Sequence, residues 1–380
     1  MEHSCAAATP RPGSGPAAER GPVRPAARRF LALLTAVALL LTGLLAAPSA
    51  LAAPADGGPP AVRADDGAYL TAAERVDDRI LDLTVHSPAL GREAHARVLL
   101  PAGYDRDHRR WPVLYLLHGC CDSTPGWRAW TDHTDVVRAT ARTRALIVLP
   151  EGGPMGFYSD WWNHGAGGAP AWETFHLTEL RQLVERALRG NGRRAVAGLS
   201  MGGFGALSYA GRHPGMFRSA ASFSGVVDTG ADPQRLLDVV AGYTDDPTAL
   251  WGDPRAQAGI WRAHNPYDLV DRLPRGFPVF IATGNGTPGP LDPPGTRPDT
   301  LEEWLGGMSE RYAARARAHG LRVTADLYGP GTHTWPYWER ELHRALPMLT
   351  ASIGAAQPPS SRSGADAGTP GSRGGADTPQ

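Results

Sequence analysis

Short apolar runs bounded by Gly, Pro and Asp recur along the middle of this chain. Between them lie longer stretches in which apolar residues return every three or four positions. Val113-Leu114-Tyr115-Leu116-Leu117 is apolar without a break, as strands buried on both faces are, and it stops at His118-Gly119. Residues 145–149 stop at Pro150-Glu151-Gly152-Gly153, and residues 277–283 stop at Gly284-Asn285-Gly286. Residues 194–197, 219–225 and 321–327 read as further strands, while 79–85 and 96–100 suggest an antiparallel hairpin ahead of the rest. Helical spacing marks 173–189 (Leu177, Leu180, Leu183, Val184, Leu188), 201–213, 233–240, Thr300–His319 and 338–349. Residues 242–276 form an insertion punctuated by Trp and Pro. No internal repeat is visible.

Strands that alternate with helices, with Gly and polar residues at the strand C-ends, predict a mostly parallel α/β sheet of about eight strands flanked by helices. The 380 residues could hold two domains, but both ends have non-globular compositions. One domain over 75–352 is therefore expected. Residues 353–380 are dominated by Gly, Ser, Pro and Ala, with Asp and Arg and little to bury, so a disordered tail is expected there. Residues 53–74 read as a linker. Residues 1–52 have the order of an export signal: Arg28-Arg29, an apolar run over 30–47, then Ala50-Leu51-Ala52 as a cleavage site. The paired arginines raise the twin-arginine route. The apolar run also approaches the roughly 20 residues that span a bilayer, so a retained anchor is the alternative to cleavage.

The chain is organised around Gly198-Leu199-Ser200-Met201-Gly202, which follows one strand and opens a helix. A strand–serine–helix turn of this kind forces the serine into a strained backbone conformation and demands near-absent side chains two residues away on both sides. A serine hydroxyl needs a base to take its proton and a third group to orient that base. In the α/β-hydrolase order the histidine follows the last strand, where His333 sits in Gly331-Thr332-His333-Thr334. His319 and His343 fall on helix patterns and read as solvated. The acid should follow the 277–283 strand, where Asp292, Asp299, Glu302 and Glu303 compete and order alone does not choose. Two backbone amides should hold the oxyanion: that of Met201, and that of Cys120 in the loop after the 113–117 strand.

These motifs combine with Phe157-Tyr158-Ser159-Asp160-Trp161-Trp162, Trp172-Glu173-Thr174-Phe175, Gly284-Asn285-Gly286-Thr287-Pro288 and Thr334-Trp335-Pro336-Tyr337-Trp338. Together they resemble the secreted antigen 85 mycolyltransferases and the wider actinobacterial esterase family, akin to the esterase D-like S-formylglutathione hydrolases. The resemblance spans about residues 75–350. It implies Ser200 as nucleophile, His333 as base and, through Leu301-Glu302 at the opening of the penultimate helix, Glu302 as acid. It also places the Cys120 and Met201 amides at the oxyanion positions. Where the transferases carry the Asp and Arg that bind trehalose, this chain has His118 and Cys121. Thr283 stands where they have a cysteine, and residues 163–169 hold none.

Charge adds little: 38 basic and 38 acidic residues balance, which gives no reason to expect nucleic acid as a partner. The cysteines are Cys5, Cys120 and Cys121, and no disulfide framework is expected from adjacent thiols. The expected protein is a secreted, monomeric serine esterase that needs no metal and no organic cofactor. Its substrate would be a small-molecule or lipid ester. Two alternatives stand beside it: an acyltransferase passing the acyl group to a sugar or glycerol hydroxyl, and a non-catalytic binding protein on a hydrolase scaffold. Trp251, Trp261 and Tyr267 of the insertion are candidates either for an acyl-pocket wall or for plain core packing.

Overall fold

The computed structural model describes residues 62–120 and 124–356. The export signal, the start of the linker, Cys5, Cys121 and most of the expected tail lie outside the described residues.

Among the described residues nine strands form one sheet: β1 (Tyr69–Arg75), β2 (Ile80–Ser87), β3 (Arg92–Leu99), β4 (Trp111–Leu117), β5 (Leu146–Pro150), β6 (Gly190–Leu199), β7 (Ala220–Phe223), β8 (Pro278–Thr283) and β9 (Arg322–Leu327). Their spatial order is β1-β2-β3-β5-β4-β6-β7-β8-β9. The first three pair antiparallel, and β3 meets β5 antiparallel. From β5 to β9 every pairing is parallel.

Period-2 alternation divides the central strands between two cores. Val113, Tyr115 and Leu117 of β4 enter one core, with Val196, Val279 and Ile281. Leu114 and Leu116 enter the other, with Ala195, Ala197, Leu199 and Phe280. Both faces are covered, so the continuous apolar runs are physically required. Each buried Leu or Val contributes roughly 1.5–3 kcal/mol.

The main helices are α1 (Gly126–His133), α2 (Arg181–Ala187), α3 (Met201–Arg212), α4 (Pro233–Ala241), α5 (Thr300–His319) and α6 (Trp335–Ser352). Helix α3 buries nearly its whole length beside β6 and β7, while α6 covers the opposite face with Trp338, Leu342, Leu346 and Leu349. The helical run ahead of β6 is interrupted: residues Phe175–Leu180 are wound as a π-helix between Trp172–Thr174 and α2.

Three expectations are corrected. Among the described residues the sheet has nine strands, because residues 69–74 of the expected linker form, with Arg75, edge strand β1, and Asp65 is held by Gln182 and Arg186 before it. The domain does not stop at 352. Ile353 and Ala355 are fully buried, and Ala355 O accepts the Arg144 amide at 3.2 Å. Cys120 is disulfide-bonded, contrary to the expectation of no disulfide framework, and the other two cysteines both fall outside the described residues.

Candidate active site

Ser200 sits between β6 and α3 at φ 51°, ψ −120°. A β-carbon makes this region costly, about 1–3 kcal/mol, so the surroundings must over-determine it. They do. The Ser200 amide donates to Phe223 O at 2.9 Å, and Ser200 O accepts the amides of Gly203 and Phe204 at 3.0 and 3.1 Å. A Cβ on Gly202 would lie 2.5 Å from Leu117 O and 2.6 Å from His118 O, so α3 can reach the sheet only with glycine there. Met201 opens the helix, where an amide has no intrahelical acceptor.

His333 lies in the loop between β9 and α6. That loop is zipped to the one after β8: Asn285 N donates to Gly329 O, Gly286 N to Gly331 O, and Gly331 N to Thr287 O, at 2.8, 3.1 and 2.6 Å. The His333 ring donates from Nδ1 to Glu302 Oε2 at 2.7 Å and stands nearly perpendicular to the Trp338 ring, with the ring centres 4.8 Å apart.

The four candidate acids are separated by these contacts. Glu302, in the first turn of α5, is fully buried and touches the imidazole. Its other oxygen accepts from Gly284 N at 2.7 Å, Ser224 Oγ at 2.8 Å and Thr283 Oγ1 at 3.1 Å. Burial alone would push its pKa up. The hydrogen bond and charge of His333, with the Gly284 and Ser224 donors, outweigh that and hold it below the usual carboxylate range. Asp299 caps α5 and accepts the His333 backbone amide at 2.9 Å, so it positions the loop, not the ring. Asp292 braces the same loop through Thr332 Oγ1 and Tyr337 OH. Glu303 is exposed.

Ser200 and His333 are 6 % and 8 % exposed. Among the described residues neither Ser200 Oγ nor His333 Nε2 has a hydrogen-bond partner, the loose geometry common before substrate binds. Ser224, Thr283 and Asp299 act on the site without having been predicted in those roles. Thr283 was noticed only as a replaced cysteine, and nothing in the one-dimensional pattern of Ser224 sets it apart.

A cavity of about 570 Å³ adjoins the serine, lined by His95, His118, Gly119, Trp127, Glu151 and Tyr243 among others. Gly119 ties it to Ser200, since a Cβ on Gly119 would lie 3.3 Å from Ser200 Cβ. Tyr243 is the insertion's contribution. Trp251 and Trp261 instead pack in the core, Trp251 against Phe157 and Phe204 at 5.6 and 5.3 Å. Tyr267 lies under the Arg315 guanidinium. His319 is partly buried against Leu273 O, and His343 is exposed. Asp135, Glu339 and His343 bring potential ligand atoms within 4.8 Å of one another. His343 and Arg138 already hydrogen-bond Asp135 there, and none of the three lines the serine cleft.

A strained serine between a central parallel strand and its helix, with a histidine–carboxylate pair after the last strand, defines an α/β-hydrolase of the serine type. The family comparisons agree. Residues 87–349 match the family described as "Putative esterase", and the chain belongs to that family. It is 30 % identical over 285 residues to the diacylglycerol acyltransferase/mycolyltransferase Ag85B of Mycobacterium leprae (strain TN), covering 72 % of this chain and 84 % of the relative. It is 34 % identical over 221 residues to Esterase MT1326 of Mycobacterium tuberculosis (strain CDC 1551 / Oshkosh), covering 55 % of this chain and 46 % of that protein. The crystal structure of Mycobacterium tuberculosis MPT51 (FbpC1) superposes with a TM-score of 0.60 at 23 % identity, over 73 % of this chain and all of that one. The chain is an enzyme of ester chemistry, an acyl-ester hydrolase or acyltransferase.

Proposed function

We propose that this protein is an exported serine esterase working through an acyl-enzyme. His333 Nε2 takes the Ser200 proton as Oγ attacks the ester carbonyl. The Cys120 and Met201 amides receive the oxyanion, and the imidazolium returns the proton to the leaving alkoxide. Water, deprotonated by His333, then releases the carboxylic acid and restores the serine. Glu302 keeps His333 in the tautomer with hydrogen on Nδ1 and stabilises the imidazolium. The observation that carries the reading is the buried 2.7 Å His333–Glu302 bond in a domain whose serine sits on a strained elbow.

Export is supported by the order of charge, apolar run and small residues over 1–52, and the twin-arginine route by Arg28-Arg29. Among the described residues no helix is long and apolar enough to cross a membrane. The substrate class is a small-molecule or lipid ester, handled by a monomer.

The second reading is acyl transfer, favoured by the similarity to an acyltransferase. The two differ only in whether an alcohol outcompetes water for the acyl-enzyme. Product analysis of an acyl ester incubated with and without trehalose or glycerol separates them. Free acid in both arms is the expected result, and an acylated sugar or glycerol as main product would replace it with transfer. Ser200→Ala and His333→Ala should each lower turnover by roughly 10³-fold or more. Turnover close to wild type in either would refute both.

A further inference from the structure

We propose that His118 is the positioning residue of the oxyanion hole. Its imidazole, locked in one tautomer, holds the Gly119 carbonyl and thereby turns the Cys120 N–H toward Ser200. This rests on the acyl-enzyme reading above, which assigns that amide its role.

Three successive carbonyls, from the last residue of β4 into the loop after it, are each held by a different side chain. Leu117 O accepts Trp130 Nε1 at 3.1 Å, His118 O accepts Tyr158 OH at 2.9 Å, and Gly119 O is 2.6 Å from His118 Nδ1. A trans peptide is planar, so its N–H points opposite to its C=O. Fixing Gly119 O therefore fixes the direction of the Cys120 amide. Gly119 itself abuts Ser200, so a modest rotation of this peptide would carry the donor off the oxyanion position.

The tautomer is decided by the partners. Gly152 N–H can only donate, and it lies 2.8 Å from His118 Nε2. Nε2 must then be the bare nitrogen and Nδ1 the one bearing hydrogen, which suits the Gly119 carbonyl. Both ring nitrogens thus engage backbone groups. With Nδ1 on the Gly119 carbonyl and Nε2 on the Gly152 amide, His118 is poorly placed to act as acid or base although it lines the cleft.

Gly152 is held in turn. The neighbouring Glu151 carbonyl accepts His176 Nε2–H at 2.7 Å, and His176 Nδ1 accepts Tyr209 OH at 2.8 Å. Burial pushes the His176 pKa down to about 3, so that imidazole stays neutral and the bond pattern does not change around neutral pH. A chain of contacts thus runs from Tyr209 on α3, the helix that Ser200 opens, through His176, the 151–152 loop and His118 to the oxyanion peptide. Nucleophile and oxyanion donor are set from one element, which is what preorganisation requires.

The test separates the two ends of the ring. His118→Asn places an amide N–H near the Nδ1 position and can still donate to Gly119 O. His118→Gln reaches the Nε2 position, where it can accept from Gly152 N, and gives up the Gly119 bond. On folded protein, His118→Gln should lower kcat about 10–100-fold with KM changed less than about threefold, while His118→Asn should stay within about fivefold of wild type. The Ki of a trifluoromethyl ketone, which forms a tetrahedral oxyanion on the serine, should rise in His118→Gln by the factor kcat/KM falls.

Wild-type kcat in His118→Gln, equal losses in the two variants, or a loss confined to KM with unchanged Ki would each overturn the proposal. Should His118→Gln fail to fold, Gly126→Ala carries the same expectations. Its Cβ would come within 2.2–2.5 Å of the His118 ring atoms and displace the imidazole. Activity retained in Ser200→Ala would refute the acyl-enzyme reading instead. Inactive Ser200→Ala beside unimpaired His118→Gln would refute the positioning role alone.

Discussion

Replacing Glu302 by Gln changes one atom, and the hydrogen bonds around it dictate how the amide must sit. The Oε1 position faces Gly284 N–H, an obligatory donor 2.7 Å away, with the Ser224 and Thr283 hydroxyls beside it. The amide oxygen must stay there. The NH₂ group is then forced into the Oε2 position, 2.7 Å from His333 Nδ1. Two donors cannot share that bond, so His333 must present a bare Nδ1 and carry its proton on Nε2. That tautomer cannot accept the Ser200 proton. The expected loss is about 10³–10⁴ in kcat, roughly 4–5.5 kcal/mol of transition-state stabilisation, with KM little changed. The assay is steady-state hydrolysis of a p-nitrophenyl ester, on protein whose thermal unfolding confirms a native fold. Glu302→Ala, which leaves Nδ1 without a competing donor, should lose less. Glu302→Gln within about tenfold of wild type would refute the tautomer argument.

Two further substitutions follow from the same geometry. Gly202→Ala should destabilise the fold by roughly 2–4 kcal/mol, read as the shift in urea midpoint, because the new Cβ meets backbone oxygens of Leu117 and His118 that cannot move without disturbing β4. Stability within about 0.5 kcal/mol of wild type would contradict the close approach. Glu179 is fully buried, accepts from Ser87 Oγ and Ala89 N, and is pushed up by burial from 4.5 to about 7, with Asp66 adding to the rise. A carboxyl whose folded pKa is raised binds its proton more tightly in the native state. Its stabilising contribution is therefore full below about pH 4.5 and is lost as pH rises to about 7, by roughly 2–3 kcal/mol. Glu179→Gln should flatten that fall in a comparison of urea midpoints at pH 5 and pH 8, and parallel pH profiles would show that Glu179 does not titrate in this range.

The parts of the fold legible in the sequence are those where burial dictates residue type. β4, β5 and β8 are covered on both faces, so they could only be apolar runs, and the elbow could only be glycine-flanked. Helix α5 is bounded by Asp299 as its cap and Gly320 in the left-handed conformation, and its predicted limits coincide with the observed ones. What escaped was held by backbone pairing. Tyr69–Arg75 is an edge strand whose residues are nearly all half-buried, so no alternation marks it. Residues 353–356 look like tail by composition, but Ile353 and Ala355 are buried in the core with Leu349, and Ala355 O is held by the Arg144 amide.

The site divides in the same way. His333 follows from its place after the last strand. Among the acids, Asp292, Asp299 and Glu302 all serve the same loop, and only the side-chain directions reveal that Glu302 reaches the ring while the other two hold its backbone. The role of His118 was hidden because it depends on Gly152, thirty-four positions away.

The most direct test of the account is fluorophosphonate labelling of the purified protein, with the adduct located by mass spectrometry. The account predicts a single adduct on Ser200, formed rapidly in the native protein and absent in His333→Ala. Natively folded protein that takes no label, or that labels equally well in His333→Ala, would contradict an activated serine at the centre of this fold.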